Sequence, residues 1–281
     1  MEKLRPEVKY GDLPEQYKVS RLIAIAHSVP KNWFGRRIAH LCKKMALLSA
    51  VFPLDTQVEG IKLRTFLRDN ASERNYVFTP WRFDFEERAM LAGVTPKDGV
   101  FVDIGANIGI YSLWMAKHMS AEGRIIAFEP NPPAFARLQF NVEANAEHKT
   151  ASRPEILCLC KGVSDKCGEF SLYLDPENLG GSSLVMHQVS GTEISVECVT
   201  LYEQLLASGV DRIDALKIDI EGAEDLALIP FFKTAPVSLY PRVIAMERVH
   251  RQENNALSIA LEQSGYRSMC ITKMNQIYTL D

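Results

Sequence analysis

The stretch Val100-Phe-Val-Asp-Ile-Gly-Ala-Asn-Ile-Gly109 decides the fold of this 281-residue chain. A buried strand, Val100–Asp103, leads into a turn punctuated by Gly105 and Gly109, and a helical pattern follows. Glycines permit the backbone angles and the close approach that a tight strand-to-helix turn requires. Downstream of this turn, apolar strands alternate with helices, which predicts a mostly parallel α/β sheet with helices on both faces.

Three acidic residues end three of these apolar strands. Ligands of such sheets bind beyond the carboxyl ends of the strands, near the point where the strand order reverses. An acid at the end of a strand contributes nothing to core packing. Three of them at one edge of the sheet, Asp103, Glu129 and Asp219, therefore indicate a binding site. We therefore expect a nucleoside site that includes the turn and two of the acids: Asp103, Gly105, Asn107, Gly109 and Glu129.

The turn differs from a dinucleotide-binding turn in ways that favour another cofactor. The dinucleotide pattern is G-x-G-x-x-G, and here Asn107 and Ile110 stand at its second and third glycines. Asp103 would also repel a pyrophosphate, whereas it suits the ammonium and sulfonium of S-adenosylmethionine. Glu129 ends the second strand, where a carboxylate can accept hydrogen bonds from both ribose hydroxyls. These features favour S-adenosylmethionine and oppose a nicotinamide-dependent oxidoreductase.

Ser164 and Asp165 follow the third strand of the pattern. By analogy with adenosine sites of this architecture, a polar pair there can meet the edge of the adenine. The alternative is a simple turn capped by Asp165.

Several stretches together resemble the FkbM-type methyltransferases over roughly residues 80–250. The resemblance implies a Rossmann-like class I methyltransferase sheet, mostly parallel with a closing antiparallel hairpin. It also implies S-adenosylmethionine as the cofactor, and it adds Asn131 to the cofactor-binding set. The matching stretches are Val100–Ser112, Ile126-Ala-Phe-Glu-Pro-Asn-Pro132, Gly162-Val-Ser-Asp165, Ser182-Ser-Leu184 and Leu216-Lys-Ile-Asp-Ile-Glu-Gly-Ala-Glu224.

The resemblance implies methyl transfer, commonly to a hydroxyl oxygen on a sugar, a glycan or a polyketide-type natural product. Other members are associated with peptide amide nitrogens, so N-methylation of a peptide or amide remains an alternative. A non-catalytic nucleoside-binding protein is a further alternative. It would keep Asp103 and Glu129 but lose the acids near the acceptor, and this chain has both sets.

A hydroxyl acceptor needs a base to remove its proton. The candidates follow the two strands expected beside the cofactor: Asp219 and Glu221 after one, Glu247 and His250 after the next. Each has a structural alternative; for example, Glu221 could cap the helix that begins near Ala223. The four could also form an oxygen-rich cation site, but nothing in their spacing requires one, and we expect no metal.

Residues 1–80 are predicted to form a helical and hairpin extension, a candidate lid, and residues 81–281 the methyltransferase domain. Within the extension, Gly35–Phe52 is predicted to be an amphipathic helix. It could pack on the surface of the domain, close over the acceptor as a lid, or contact an anionic membrane or partner. Strands are predicted at Val58–Arg68 and Tyr76–Phe78, paired as a hairpin around the polar turn Asp69–Arg74. The apolar face of the helix is predicted to consist of Ile38, Leu41, Met45, Leu48 and Phe52.

Composition limits the remaining possibilities. The formal net charge of −3 and the pI near 6.1 argue against nucleic acid as a partner. The longest apolar stretches fall well short of the roughly 20 residues that span a bilayer. Six cysteines without a Cys-x-x-Cys pair favour a reduced, cytoplasmic protein without structural zinc.

Overall fold

A computed structural model describes residues 4–146, 153–175, 178–184, 192–248 and 256–281. Its centre is a seven-stranded sheet with two apolar faces. In the strand that begins at Val100, Phe101 belongs to the hydrophobic cluster on one face of the sheet, and Val102 and Ile104 belong to the cluster on the other face. Successive side chains of a strand point to opposite faces, so this continuous apolar run is what a sheet buried on both sides requires.

The order of the strands confirms the predicted fold class. Five neighbouring strands run parallel, and the last two form an antiparallel hairpin that closes the sheet. The strand order reverses at the strand that begins at Val100, which lies in the middle of the sheet. In spatial order the strands are β11 (Tyr266–Ile271), β12 (Asn275–Leu280), β10 (Val243–Glu247), β9 (Ala215–Ile218), β3 (Val100–Ile104), β4 (Arg124–Phe128) and β5 (Glu155–Leu159).

Helices cover both faces of this sheet. The helix after the glycine turn and the helix after β4 lie on the face shared with the N-terminal residues, and the other three lie on the opposite face. The helices are α5 (Ile110–Ala116), α6 (Pro132–Ala146), α7 (Leu201–Ala207), α8 (Glu224–Thr234) and α9 (Ala256–Gln263).

A smaller sheet extends the molecule beyond β5. The sequence predicts one strand over Ile156–Val163, but the structure divides it, because the chain leaves the main sheet after Leu159. The sequence also predicts strands over Glu169–Leu174 and Glu193–Thr200, and the structure forms them as an antiparallel pair. The three strands are β6 (Gly162–Val163), β7 (Gly168–Tyr173) and β8 (Glu193–Val199).

The N-terminal elements differ in part from the prediction. The hairpin turns at Glu59 and Gly60, which both have positive φ, as two-residue hairpin turns require. Tyr76–Phe78 belongs to a helix and is not a strand, because Asn70 caps that helix by accepting a hydrogen bond from the backbone N–H of Glu73. The elements are α1 (Tyr17–Ser28), α2 (Trp33–Ser49), β1 (Leu54–Val58), β2 (Ile61–Thr65), α3 (Ala71–Phe78) and α4 (Phe85–Val94).

The buried face of α2 is also not the one predicted. Small residues face α1 and the core: Gly35, Ala39, Cys42 and Ala46 are buried, whereas Leu41 and Leu48 are exposed. At Gly35 a Cβ atom would lie 1.8 Å from the carbonyl oxygen of Pro30. The inner face of α2 thus carries small residues, and its large side chains lie on the outside.

Buried charges attach the extension to the rest of the chain. Arg137 of α6 donates to both carboxylate oxygens of Asp69, at 2.9 and 2.6 Å, and to Glu73 at 2.9 Å. The backbone N–H of Arg64, in β2, donates to Oδ1 of Asn141 in the same helix at 2.7 Å. The predicted division of the chain at residue 80 stays a prediction, and these contacts cross or approach it.

Candidate active site

A cleft of about 740 Å³ lies beyond the carboxyl ends of β3, β4, β9 and β10, at the edge where the strand order reverses. This volume is typical of a pocket for a small molecule or cofactor. Its lining includes seven of the residues predicted from the sequence. Four are on the cofactor side, Asp103, Gly105, Asn107 and Glu129, and three are on the acceptor side, Asp219, Glu221 and Glu247.

The glycine turn is held tightly between its neighbours. Gly105 has a φ of +81°, and a Cβ atom there would lie 2.0 Å from the carbonyl oxygen of Asp219. Gly109 has a φ of +90°, and a Cβ atom there would meet Leu138 of α6 at 2.6 Å. Both positions therefore need glycine for their backbone angle and for space. Gly105, Ala106 and Asn107 of this turn line the cleft, where they form a cradle at the end of β3.

Asp103 lies at the floor of this cradle and is buried. Its Oδ2 accepts a hydrogen bond of 2.6 Å from the hydroxyl of Ser112. Burial raises the pKa of Asp103 to about 6, against the opposing effects of Ser112 and the nearby Lys217. A cationic ligand would favour the ionised form of this carboxyl.

Glu129 ends β4 and faces the turn. Its Oε2 accepts from the backbone N–H of Asn107 at 2.7 Å, and its Oε1 from that of Asn131 at 2.9 Å. Burial nevertheless raises the pKa of Glu129 to about 7. Each carboxylate oxygen has two lone pairs, so one acceptor position remains on each oxygen for a pair of hydroxyl groups.

Two asparagines support the site from behind. The side chain of Asn107 accepts a hydrogen bond of 2.8 Å from Asn70, which connects the turn to the start of α3. Asn131 does not line the cleft; it is fully buried and donates to Ser182 and to the carbonyl oxygen of Leu179. Its Oδ1 has no hydrogen-bond partner within the described part of the chain.

Ser164 and Asp165 do not line the cleft. Ser164 is buried with its backbone N–H donating to the carbonyl oxygen of Val199, and Asp165 is exposed. Three residues that precede them, Lys161–Val163, line the cleft instead. The adenine contact predicted for Ser164 and Asp165 stays a prediction, because Lys161–Val163 line the cleft and these two residues do not.

Three carboxylates meet on the acceptor side of the cleft. One oxygen from each of Asp219, Glu221 and Glu247 lies within 4.8 Å of the others. Burial, together with the charges of Asp219 and Glu221, raises the pKa of Glu247. The group can therefore retain a proton at neutral pH and release or accept one as ligands bind. His250, the fourth candidate base, lies outside the described residues.

The strained backbone after β9 brings these acids together. Glu221 and Gly222 both have positive φ, and Ser183 donates to the carbonyl oxygen of Glu221 at 2.9 Å. Glu221 does not cap the following helix, whose N-cap position is Ala223 without a side-chain cap bond. The turn before that helix is held by Glu224, whose Oε1 accepts from the backbone N–H groups of Ile220 and Gly222. Glu221 itself lines the cleft.

Carboxylate oxygens in this arrangement could hold a divalent cation. The cluster already has a cationic neighbour, since the ammonium of Lys217 lies 3.0 Å from Asp219 Oδ2. The expectation that the protein needs no metal stays a prediction.

Lys217 is a site residue to which the sequence analysis gave no role. It is buried in β9 beneath the acids, and its ammonium lies 5.1 Å from the centre of the Tyr111 ring. Burial opposes its charge, but Asp219 and Asp84 outweigh that effect and raise the pKa of Lys217. A charged residue inside the apolar strand Ala215-Leu-Lys-Ile218 was the available signal.

Asp84 was also not anticipated. It comes from the N-terminal side of the cleft and accepts a hydrogen bond of 3.1 Å from the hydroxyl of Tyr111. Burial raises the pKa of Asp84. The sequence predicts a short helix over Phe83–Ala92, which includes Asp84, so no local pattern marked this residue.

Two segments distant in sequence form the walls beyond the acids. One wall comes from the residues between α3 and α4, including Trp81, Arg82 and Phe83. The other is the turn of the closing hairpin, Thr272–Asn275. The buried Glu87 of α4 joins the walls by accepting hydrogen bonds from Thr272 and Asn275.

The donor set fits S-adenosylmethionine. The glycine turn lining the cleft at Gly105, the buried acid Asp103 and the open lone pairs of Glu129 would receive the methionine end and the ribose. The acids of the acceptor side would then lie beyond the methyl group. The structure thus brings together the acid–turn–acid arrangement expected from the sequence.

Comparison with known proteins gives three curated relatives of similar identity. Methyltransferase sdnD of Sordaria araneosa is 29% identical over 46% of this chain and 59% of its own length. Hexuronic acid methyltransferase AglP of Haloferax volcanii is 28% identical over 67% of this chain and 73% of its own. The 31-O-demethyl-FK506 methyltransferase FkbM of Streptomyces tacrolimicus is 28% identical over 59% and 73%, respectively. The chain therefore spans about three fifths of the first of these relatives.

The model of the methyltransferase FkbM domain matches residues 103–267, more than half of the chain. The match begins at Asp103 and includes Glu129 and the three acids of the acceptor side. The chain belongs to the family of FkbM methyltransferase domains.

Proposed function

We propose that this protein is an S-adenosylmethionine-dependent methyltransferase that methylates a hydroxyl oxygen on a sugar, a glycan or a polyketide-type product. The cluster of Asp219, Glu221 and Glu247 at the acceptor side of the cleft carries the proposal. A hydroxyl needs a base as its oxygen becomes a nucleophile, and a non-catalytic nucleoside-binding protein would have no need of such a cluster. The chain's six free thiols accord with action in the cytoplasm, which we also propose.

The acceptor class is supported by the walls of the cleft and by two relatives. Trp81 lines the cleft, and its indole Nε1 is buried without a hydrogen-bond partner among the described residues. Buried donors usually have a partner, and an oxygen-rich ligand would supply one. The names of AglP and of the FkbM relative refer to a hexuronic acid and to 31-O-demethyl-FK506, and the second name places the missing methyl group on an oxygen.

When bound, S-adenosylmethionine supplies a methyl group already activated by the sulfonium. The chain's own residues then have three tasks. Asp103 and the glycine turn would hold the methionine end, and the carboxylate of Glu129 would accept hydrogen bonds from the two ribose hydroxyls. On the other side, one carboxylate of the acidic cluster would take the proton of the acceptor hydroxyl as that oxygen bonds to the methyl carbon and the carbon–sulfur bond breaks, with S-adenosylhomocysteine as the leaving group. Alignment of donor and acceptor supplies much of the rate.

Within the cluster, Glu247 and Asp219 are the best-placed bases. Glu247 has a raised pKa, which makes its ionised form the stronger base. Asp219 is held 3.0 Å from the ammonium of Lys217, which favours the ionised form of Asp219. Lys217 thus positions and charges the cluster without touching the acceptor.

The test uses three variants that keep shape and remove charge: Asp219→Asn, Glu221→Gln and Glu247→Gln. Turnover is followed as S-adenosylhomocysteine release with a panel of hydroxylated acceptors, and S-adenosylhomocysteine binding is measured by calorimetry. We expect at least one variant to lose about 100-fold or more in turnover while still binding S-adenosylhomocysteine. Glu86→Gln, at the rim of the same cleft, is the matched control.

Three outcomes would redirect the proposal. Wild-type rates in all three variants would make the acids structural. Methylation of amides with a rate that rises steeply with pH would indicate the N-methyltransferase alternative. Binding of S-adenosylhomocysteine without methylation of any hydroxyl or amide in the panel would favour the nucleoside-binding alternative.

A further inference from the structure

The N-terminal helical hairpin carries a charge that the whole chain does not share. From Gln16 to Leu54 the sequence contains seven lysines and arginines and no aspartate or glutamate, although the formal net charge of the chain is −3. This range includes α1 and α2, which pack against each other. This part of the chain therefore carries positive charge with no acidic residue to offset it.

Large apolar side chains are exposed on the same hairpin. Because Gly35, Ala39, Cys42 and Ala46 face inward, the outer face of α2 presents its large residues to solvent. Trp33 is 61% exposed and Leu48 is 87% exposed. The other exposed apolar residues of the face are Phe34, Leu41 and Met45. Exposed apolar groups in such a cluster usually mark a docking surface.

Basic groups alternate with these apolar ones. The guanidinium of Arg37 lies 4.9 Å from the centre of the Trp33 ring. Beside them is a groove of about 590 Å³ whose lining contains no acidic residue. It consists of Trp33, Arg36, Arg37, Ile38, His40, Leu41, Lys44 and Arg82.

No helix of the described residues has the length and apolar character needed to cross a bilayer. We propose that this outer face of α2 docks on an anionic phospholipid surface. Helices that lie in a membrane interface combine a Trp/Phe/Leu face with Lys and Arg, whose apolar stems lie along the lipid while their charges reach the phosphates. The absence of acids between Glu15 and Asp55 gives this face the charge complementary to such a surface.

The docking face adjoins the cleft. Arg82 lines both the groove and the cleft, and its neighbours Trp81 and Phe83 line the wall on the acceptor side. Docking would therefore bring the opening of the cleft close to the lipid headgroups. This consequence rests on the proposed function, whereas lipid binding itself does not.

The first experiment is co-sedimentation of the full chain with vesicles. We expect binding to an equimolar mixture of phosphatidylglycerol and phosphatidylcholine, and binding at least about tenfold weaker to phosphatidylcholine alone or at high salt. Two double variants should each weaken binding by about 10- to 30-fold. One combines Trp33→Ala with Leu48→Ala, and the other combines Arg37→Ala with Lys44→Ala. Leu206→Ala with Val237→Ala, two exposed apolar residues elsewhere, should not.

A second measurement reports on the face directly. Among the three tryptophans, Trp33 is exposed while Trp114 is buried and Trp81 is partly buried. Anionic vesicles should shift the tryptophan emission to shorter wavelength, and Trp33→Phe should abolish the shift while binding persists. S-adenosylhomocysteine binding shows that each variant is folded.

Failure to bind anionic vesicles would overturn the proposal, as would equal binding by the face variants and the control pair. Concentration-dependent self-association that the Trp33 and Leu48 variants abolish, without lipid binding, would assign the face to a second copy of the chain and would also overturn it. Loss of lipid binding in variants that keep full turnover in solution would leave the methyltransferase proposal standing.

Discussion

The affinity of the protein for S-adenosylhomocysteine should depend on pH through Glu129. The pKa of this carboxyl is raised to about 7, first by burial. Both of its oxygens already accept backbone N–H bonds, from Asn107 at 2.7 Å and from Asn131 at 2.9 Å. Its remaining lone pairs can accept two ribose hydroxyls only when the carboxyl is ionised, because a bound proton occupies one of them.

The sign and size of the effect follow from that pKa. Below about pH 7 the free protein holds the proton, and ligand binding must release it, so affinity falls as the pH falls. Above pH 7 the carboxylate is preformed and affinity is constant. Two pH units below the pKa, about one molecule in a hundred is ionised, so Glu129 alone accounts for a loss of up to about 100-fold between pH 8 and pH 5.

Calorimetric titration of S-adenosylhomocysteine across this range measures the effect, and the variant Glu129→Gln isolates it. The variant should bind about tenfold more weakly at pH 8, because the amide N–H₂ then faces a backbone N–H donor. Its remaining pH dependence should be centred near 6, the pKa of the buried Asp103. An affinity for the wild-type protein that is the same at pH 5 and pH 8 would refute the reasoning.

Three further predictions concern the frame of the site. Gly105→Ala should lower the free energy of unfolding by about 2–4 kcal/mol, because the new Cβ would lie 2.0 Å from the carbonyl oxygen of Asp219. The control variant Gly93→Ala, whose new Cβ would have nothing within 4 Å, should not destabilise the protein in the same thermal melt. Lys217→Met should move the pH of half-maximal turnover upward, because the acids lose their cationic neighbour; an unchanged pH–rate profile would contradict this. Deletion of residues 1–75 should give aggregated protein, because it leaves the buried arginine of α6 without its carboxylates; a soluble fragment that melts cooperatively would show instead that the extension is separate.

The sequence by itself determined the central sheet and the cofactor side of the cleft. Both depend on local rules: an apolar strand that is buried on both faces, glycines where the backbone has positive φ, and acids where strands end. Asp103, Gly105 and Glu129 therefore lie together as expected, since parallel strands deliver their carboxyl ends to one edge. The antiparallel closing hairpin was also predicted, because its two strands are adjacent in sequence.

The tertiary structure decided which residues face one another across distant segments. The inward face of α2 is set by how closely α1 can approach, so Gly35 and Ala39 are buried while Leu48 is exposed, against the order that hydrophobicity alone predicts. In the same way, Asp84 becomes a site residue only because α4 packs beside β10 and places it near Lys217. Side-chain periodicity describes one element at a time, whereas burial and pKa depend on the neighbour that the fold brings to it.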